Sequence, residues 1–164
     1  MRKGPLGVFE LNTFLQNLVN PGITRHKIMG VAWSDGDRVM QIKNNYDKNV
    51  FNGDIGIIFK VHKGDDKVTV FYDDKTVEYE GDELEQLSLA YASTIHKSQG
   101  SEYPAVIVIL DSSHYMMLQR NLLYTAITRA KGHVWVLSAP GAFATAVRNN
   151  RSVRRFTRLT ERLG

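Results

Sequence analysis

The sequence predicts an α/β domain that is interrupted by a small all-β insert. Apolar runs at residues 104–110 and 134–139 flank a helical pattern at about 119–130. Such runs suit strands covered on both faces, and parallel strands need a crossover helix, so residues 104–139 are predicted to form a β-α-β unit. Between residues 36 and 80, short strand patterns alternate with turn signals, which favours a small closed or nearly closed barrel.

The first predicted element is a helix. Its apolar residues share one face at helical spacing: Leu11, Phe14, Leu15, Leu18 and Val19. The segment Asn20-Pro21-Gly22 is expected to end this helix, because proline and glycine interrupt helical backbone.

The strands of the insert are predicted at residues 36–42, 54–61, 67–72 and 76–80. The turns between them contain Asn52-Gly53, Lys63-Gly64-Asp65-Asp66 and Asp73-Asp74-Lys75. After the insert, residues 94–99 are predicted to be helical up to Gly100. Lys131-Gly132 is expected at the C-terminal end of the later helix, where a cation and a glycine are both favoured.

Composition limits the class of protein. The chain has 164 residues, of which 43% are hydrophobic and 23% charged, and it contains no cysteine. It has no apolar run long enough to cross a membrane and no apolar signal region at its start, so we expect neither a membrane anchor nor secretion. Disulfides and thiolate metal sites are excluded, and a cytoplasmic location is expected. Five scattered histidines show no paired spacing, so no metal site is predicted.

The net charge of +4 favours a polyanionic partner. Arginines are concentrated between Arg148 and Arg162, which is either a solvated helix face or a stripe that faces phosphates. A phosphate-binding loop of the form G-x-x-x-x-G-K-[ST] is missing, and so is a G-x-S-x-G nucleophile motif. Asp111 ends an apolar run but is interpreted as a strand-end or turn residue. Together these absences argue against a complete enzyme.

Two segments resemble motifs of superfamily-one helicases. TIHKSQGSEYPAVIVIL, residues 94–110, resembles motif V, and LLYTAITRAKGHVWVL, residues 122–137, resembles motif VI. Residues 4–21 and 36–56 are similar to the RecD-type branch, which includes the alpha subunit of exodeoxyribonuclease V and its stand-alone relatives. From composition alone, residues 93–103 would be interpreted as an ordinary polar loop. The specific order of these residues favours the resemblance to motif V.

The resemblance implies a fold and a domain arrangement. Helicases of this type have two RecA-like motor domains, and the second is interrupted by a small SH3-like barrel. By this resemblance, residues 1–26 and 87–164 form the second RecA-like domain, and residues 27–86 form the barrel. The phosphate loop and the magnesium carboxylate belong to the first motor domain, so this chain is expected to be a C-terminal portion.

The resemblance also implies contacts with the nucleotide. Arg129 matches the motif VI arginine finger that stabilises charge on the γ-phosphate in phosphoryl transfer. The alternative is an arginine at a helix end whose charge is paired to a carbonyl group. Gly100 and Glu102 are expected near the nucleotide, with Glu102 facing the ribose. Arg2 or Lys3 could supply a second phosphate contact.

Further residues are expected to contact DNA. Motif V implies that Thr94, His96 and Lys97 lie near the single-strand backbone and that Gln99 links the two sites. In the barrel, Asn45 and Tyr46 lie among basic and polar residues that suit single strands. An ordinary surface turn is an equally acceptable interpretation of Asn45 and Tyr46.

The expected function is therefore that of the C-terminal motor portion of an ATP-dependent DNA helicase, moving 5′ to 3′. ATP and Mg²⁺ would be held mainly by the N-terminal motor domain, and the isolated chain is expected to bind no cofactor and to be inactive alone. Expected partners are single-stranded and duplex DNA, the N-terminal RecA-like domain and other exodeoxyribonuclease V subunits. The alternative is a non-enzymatic nucleic-acid-binding module that retains a helicase fold.

Overall fold

The structure is a computed structural model that describes residues 6–21 and 24–150. It consists of two compact units, which divide between Lys97 and Ser98. The insert was predicted to end at residue 86, whereas the first unit continues to Lys97. The predicted domain bounds therefore stay a prediction.

The first unit contains one α-helix and seven strands among its described residues. They are α1 Val8–Val19, β1 His26–Ile28, β2 Val31–Trp33, β3 Arg38–Gln41, β4 Ile55–His62, β5 Lys67–Tyr72, β6 Lys75–Glu80 and β7 Leu87–Leu89. A 3-10 helix at Gly81–Gln86 connects β6 to β7. The four strands predicted from the sequence are confirmed as β3 to β6.

Five of these strands form one antiparallel sheet in the order β6-β5-β4-β3-β7. Side chains alternate between the two faces of a strand, and one face of this sheet encloses the core. Its fully buried members include Val39, Ile58, Val68, Val70 and Tyr79. Among the described residues, the outer strands β6 and β7 are not paired with each other.

The hairpin of β1 and β2 was not predicted. Its strands have three residues each, which is too short for an alternating pattern to be recognised. The connecting residues Met29 and Gly30 both have positive φ angles, 50° and 82°, as a two-residue hairpin turn of the type I′ class requires. Met-Gly lacks the Asn-Gly or Asp-Gly signal by which such turns are usually recognised.

Amide side chains of helix α1 contact other parts of the first unit. Asn12, Gln16 and Asn20 follow one another at intervals of four and therefore share one face. Asn12 Nδ2 donates to Ala92 O at 2.9 Å, and Asn12 Oδ1 accepts from Ala92 N at 2.9 Å. Of the residues predicted to form the apolar face, Phe14 and Leu18 are 63% and 65% exposed, whereas Leu11 and Leu15 are half-buried.

Asp37 is fully buried and accepts four hydrogen bonds. Gln16 Nε2 and Ser34 N donate to Oδ2 at 2.6 and 2.8 Å, and Asn20 Nδ2 and Tyr91 Oη donate to Oδ1 at 2.9 Å. Burial, followed by the neighbouring Asp37 carboxylate, raises the pKa of Tyr91 to about 12, so Tyr91 remains a donor at neutral pH. This carboxylate joins α1, the turn after β2 and the segment after β7.

The second unit contains a β-α-β element. Its described elements are β8 Tyr103–Leu110, a 3-10 helix Ser112–Met117, α2 Arg120–Ile127, β9 Ala130–Ser138 and α3 Ala142–Arg148. Strands β8 and β9 are parallel, which confirms the predicted unit. Helix α2 packs against both strands and buries Leu122, Leu123 and Ala126.

Two local predictions were wrong. Residues 95–100 form consecutive turns rather than a helix. Lys131 and Gly132 lie inside β9, because the helix ends at Ile127 and the strand begins at Ala130. Pairing between β8 and β9 starts at Tyr103 and Ala130. Lys131 and Gly132, which were expected to end the helix, therefore belong to the paired strand.

Some predictions fall outside the described residues. They concern Arg2, Lys3, Gly22 and the arginines from Arg151 to Arg162, together with the last predicted helical segment. Arg148 is described and lies, exposed, at the end of α3. None of the described helices is both long enough and apolar enough to cross a membrane.

Replacing Asp37 with alanine should destabilise the first unit by about 3 kcal/mol, because four donors lose their acceptor and all four hydrogen bonds are buried or partly buried. Urea unfolding followed by the fluorescence of buried Trp33, in a Trp135→Phe background, measures this change. Asp65→Ala, in an exposed turn, is the matched control and should stay within about 0.5 kcal/mol. Equal losses in the two variants would contradict the role of Asp37.

Candidate functional site

Arg129 lies in the short connection between α2 and β9. Its backbone N–H donates to Ala126 O at 3.3 Å, and its carbonyl accepts from Tyr103 N at 2.8 Å. The first bond belongs to the end of α2, and the second fixes the first residue of β8. The backbone of Arg129 is therefore held at the point where the helix and the two parallel strands meet.

The guanidinium group of Arg129 is half-buried and hydrogen-bonded on three sides. Nε donates to Thr125 O at 3.2 Å, Nη1 to Ser101 O at 3.2 Å and Nη2 to Thr128 Oγ1 at 3.5 Å. Thr125 O lies in the last turn of α2, where the helix dipole favours a cation. These contacts offset the cost of removing the charge from water.

The same group keeps capacity for another acceptor. A guanidinium has five N–H donors, and the contacts within the described residues use three of them. All three are longer than the usual distance of about 2.9–3.0 Å. These contacts agree with the alternative interpretation of Arg129 as a helix-end arginine paired to carbonyls. The two N–H groups that the contacts do not use could still donate to a phosphate.

The residues expected near the nucleotide lie around Ser101. Gly100 has a φ angle of 87°, a conformation that glycine adopts without steric cost, and it belongs to a turn in which Ser101 N donates to Ser98 O at 3.1 Å. Glu102 follows, and its Oε2 lies 3.3 Å from Lys131 Nζ on β9. The structure thus brings together Gly100, Glu102 and Arg129.

The residues expected near the DNA backbone divide between the units. Thr94, His96 and Lys97 belong to the first unit, and Gln99 belongs to the second. Thr94 O and Thr94 Oγ1 both accept from Lys97 N, at 3.0 and 3.3 Å. His96 and Gln99 are exposed. Thr94 and Lys97 also line a small pocket of the first unit.

In the barrel, Asn45 and Tyr46 have different surroundings. The Asn45 amide is used within the fold, because its Nδ2 donates to Gln86 Oε1 at 3.0 Å and its Oδ1 accepts from Lys48 N at 3.0 Å. Tyr46 is 75% exposed, and its ring contacts Phe51 edge to face at a centroid distance of 5.9 Å. Tyr46 therefore has a ring surface that a base could stack on, whereas Asn45 pairs with Val50 and closes the turn between them.

Asp111 caps the 3-10 helix that follows β8. It accepts from Ser113 N at 2.9 Å and from the Ser113 hydroxyl group, and the latter bond is the main reason why the pKa of Asp111 is lowered. This confirms its interpretation as a turn residue. Within residues 6–21 and 24–150, no group of three or more histidine or carboxylate side chains could hold a metal ion.

Charge is unequally distributed along the chain. Residues 1–97 contain twelve basic and fourteen acidic residues, whereas residues 98–164 contain nine basic and three acidic residues.

The sequence motifs had pointed to Arg129 but not to its partners. Ser101 and Thr125 contribute backbone carbonyls, and no residue type signals a backbone acceptor.

Comparison with known proteins assigns both parts of the chain. Residues 11–72 match the SH3 domain of ATP-dependent RecD-like DNA helicases, and residues 89–137 match the UvrD-like helicase C-terminal domain. The chain belongs to the RecD-like family of helicases.

Individual relatives support this assignment. The chain is 42% identical to the ATP-dependent RecD2 DNA helicase of Deinococcus radiodurans over 99% of its own length and 22% of that protein. It is 35% identical to the RecBCD enzyme subunit RecD of Mycolicibacterium smegmatis, over 99% of its own length and 28% of that protein. The chain thus spans about a quarter of the length of these relatives.

A solved structure confirms the fold class. The Pif1 helicase from Bacteroides, in complex with ADP-AlF3 and single-stranded DNA, matches 96% of this chain with a TM-score of 0.64 and 22% identity. The match covers 43% of the Pif1 chain. The predicted class, a RecA-like α/β domain with an SH3-like insert, is therefore confirmed.

Arg129→Ala should loosen the loop that holds Ser101. Removing a charged donor that is worth about 1.5 kcal/mol should speed amide exchange at Ser101 by roughly ten-fold in the nucleotide-free chain. Arg129→Lys should give an intermediate rate, because one ammonium group cannot bridge Thr125 O and Ser101 O in the same way. Hydrogen exchange resolved by NMR measures this effect, and Arg148→Ala is the control. Unchanged exchange at Ser101 would show that the contact is not formed in solution.

Proposed function

We propose that this chain acts as the C-terminal motor part of an ATP-dependent DNA helicase. In this proposal Arg129 is the arginine finger, and Thr94, His96, Lys97 and Gln99 contact single-stranded DNA. The observation that carries the proposal is the position of Arg129. It follows α2 in a motif VI segment, and its guanidinium is held by two carbonyls while two N–H groups are left for a phosphate.

A held guanidinium suits stabilisation of a transition state. An arginine finger lowers the barrier because its charge is already in place when negative charge develops on the transferred phosphoryl group. Thr125 O and Ser101 O restrict the side chain before any substrate binds. Arginine also provides a planar fork of donors, which matches phosphate oxygens better than a lysine ammonium group does.

ATP is the proposed substrate, and Mg²⁺ is the proposed cofactor. The side chains of this chain fit part of such a site, because the Arg129 guanidinium can donate to phosphate oxygens and the nearby exposed Glu102 carboxylate can accept from hydroxyl groups of a nucleotide. The metal-ion carboxylate and the phosphate loop are proposed to lie in sequence outside this chain. Mg²⁺ would neutralise charge on the phosphate oxygens, and Arg129 would donate hydrogen bonds to them.

The DNA contacts follow from the chemistry of the first unit. Thr94 and Lys97 offer a hydroxyl group and an ammonium group, which are common ligands of phosphate oxygens. Tyr46 offers an exposed ring on which a base could stack. By similarity to RecD-type proteins, we propose 5′ to 3′ movement and partners that include a preceding RecA-like domain and other exodeoxyribonuclease V subunits.

In the intact helicase, Arg129→Ala should reduce ATP turnover by on the order of 10³–10⁵, with ATP and DNA affinity changed much less. Arg129→Lys should restore little activity, since an ammonium group cannot reproduce the planar fork. Steady-state ATPase assays and nucleotide binding, made on the same preparations, test this separation. The isolated chain should hydrolyse no ATP, whether position 129 carries arginine, alanine or lysine.

Two outcomes would contradict these predictions, the first on the role of Arg129 and the second on the inactivity of the isolated chain. The first is a variant that melts early but turns over normally when folded, since it would make Arg129 purely structural. The second is DNA-stimulated hydrolysis by the isolated chain that Arg129→Ala abolishes, because it would show that the phosphate loop is not required.

The isolated chain should bind single-stranded DNA weakly and with a shallow dependence on salt. Each phosphate contact contributes about −0.7 to the slope of log affinity against log salt concentration, so Lys97→Gln should flatten the slope by roughly that amount. Lys63→Gln, in an exposed turn, is the matched control and should leave the slope unchanged. Fluorescence anisotropy titrations provide the slopes. Binding that does not respond to salt would exclude phosphate contacts.

A further inference from the structure

A small pocket lies in the first unit beside two of the proposed phosphate contacts. Its volume is about 80 Å³. It is lined mainly by apolar side chains, together with a few polar ones: Val8, Phe9, Met40, Ile42, Leu89, Ser93, Thr94 and Lys97. Met40 is 2% exposed and Phe9 is 54% exposed, so the pocket extends from the core to the surface, with Phe9 at its mouth.

The walls of this pocket are held together by the Asn12 amide. Asn12 Nδ2 donates to Val8 O at 2.8 Å and to Ala92 O at 2.9 Å, and Asn12 Oδ1 accepts from Ala92 N at 2.9 Å. Val8 belongs to the first turn of α1, and Ala92 lies in the segment after β7. The pocket is therefore preformed rather than dependent on a ligand to bring its sides together.

The chemistry of the pocket suits a flat ring attached to a charged group. Phe9 offers an aromatic face at the entrance, and Met40, Ile42 and Leu89 offer apolar surface behind it. Ser93, Thr94 and Lys97 provide hydroxyl groups and a cation at the same pocket, where they can meet a phosphate. This combination of aromatic stacking and a nearby cation is the usual means by which proteins hold single-stranded nucleic acid.

The size of the pocket selects among such ligands. Sites that enclose a whole small molecule have volumes of about 300–1,000 Å³, well above the volume of this pocket. It therefore takes an edge of one base while the sugar and the phosphate stay outside. A free nucleotide would have most of its surface in water, whereas one base of a strand can enter while its neighbours remain on the surface.

We infer that this pocket is a base-binding subsite for single-stranded DNA, in which one base stacks on Phe9 and the adjacent phosphate contacts Thr94 and Lys97. This inference rests on the proposed function. The pocket would contribute the part of the affinity for single-stranded DNA that depends on bases rather than on phosphates. Phe9 is the residue that distinguishes the two parts, because its ring can contact a base but cannot neutralise a phosphate.

The test compares two oligomers of equal length, an oligothymidine and a strand of the same sugar-phosphate backbone without bases. By fluorescence anisotropy at low salt, the unmodified 164-residue chain should prefer the base-bearing strand by about ten-fold, as expected for one stacked base. Phe9→Ala should remove most of this preference and leave affinity for the base-free strand unchanged. Phe9→Trp should keep or increase the preference.

Phe14→Ala is the matched control, because Phe14 lies on the same helix, is similarly exposed and does not line the pocket. It should bind both strands as the unmodified chain does. Phe9→Leu retains apolar contact but lacks a ring, so it should lose the preference even if Phe9→Ala folds poorly. Urea midpoints of all variants establish that they are folded.

The outcomes separate this inference from the proposed function. If Lys97→Gln weakens binding of both strands but Phe9→Ala and Phe9→Leu keep the preference for bases, the pocket is not a base site and the proposed DNA contact stands. The base site is equally overturned if the unmodified chain shows no preference, or if Phe14→Ala loses as much as Phe9→Ala. If neither strand binds at low salt, both the inference and the proposed DNA contact are overturned.

Discussion

The buried carboxylate of Asp37 is the interaction on which the first unit depends. Its two oxygens accept from Gln16, Asn20, Ser34 and Tyr91, so one side chain joins three separate stretches of the chain. None of the four donors is a cation, so the hydrogen bonds that hold this carboxylate come from neutral groups. A buried carboxylate is costly unless all of its lone pairs are used, and this constraint determines which residues α1 turns inward.

The orientation of α1 shows where sequence patterns mislead. Its apolar residues follow helical spacing, and a simple interpretation places them in the core. Instead, the face with Asn12 and Gln16 is buried, because these amides supply the donors and acceptors that Asp37 and Ala92 require. Hydrophobic periodicity correctly predicted that a helix forms, but it could not tell which side faces the first unit.

Other elements differ in how well they could be predicted. Strands β4 to β6 have at least six residues each and are bounded by turn residues, so their patterns were sufficient. Hairpin β1–β2 is too short to show a period, and its Met29-Gly30 turn lacks the usual signal. Residues 95–100, which were predicted to be helical up to Gly100, form turns.

The candidate site was predictable for a different reason. Arg129 was identified through a motif that reflects the chemistry of phosphoryl transfer rather than the local fold. Its partners Ser101 O and Thr125 O are backbone atoms, and only the structure could identify them. The pocket beside Thr94 and Lys97 was also missed, because its apolar lining comes from elements that are far apart in sequence.

The structural and catalytic interpretations of Arg129 do not exclude each other. A guanidinium with five donors can hold two carbonyls and still present N–H groups to a phosphate, whereas a lysine ammonium group with three donors has less capacity and no fixed fork. Contacts of 3.2 Å are long enough to be exchanged at modest cost when a charged phosphate oxygen offers a stronger acceptor. In the proposed role of Arg129, the carbonyls would keep the side chain in place before substrate binds, and they would not compete strongly with the phosphate afterwards.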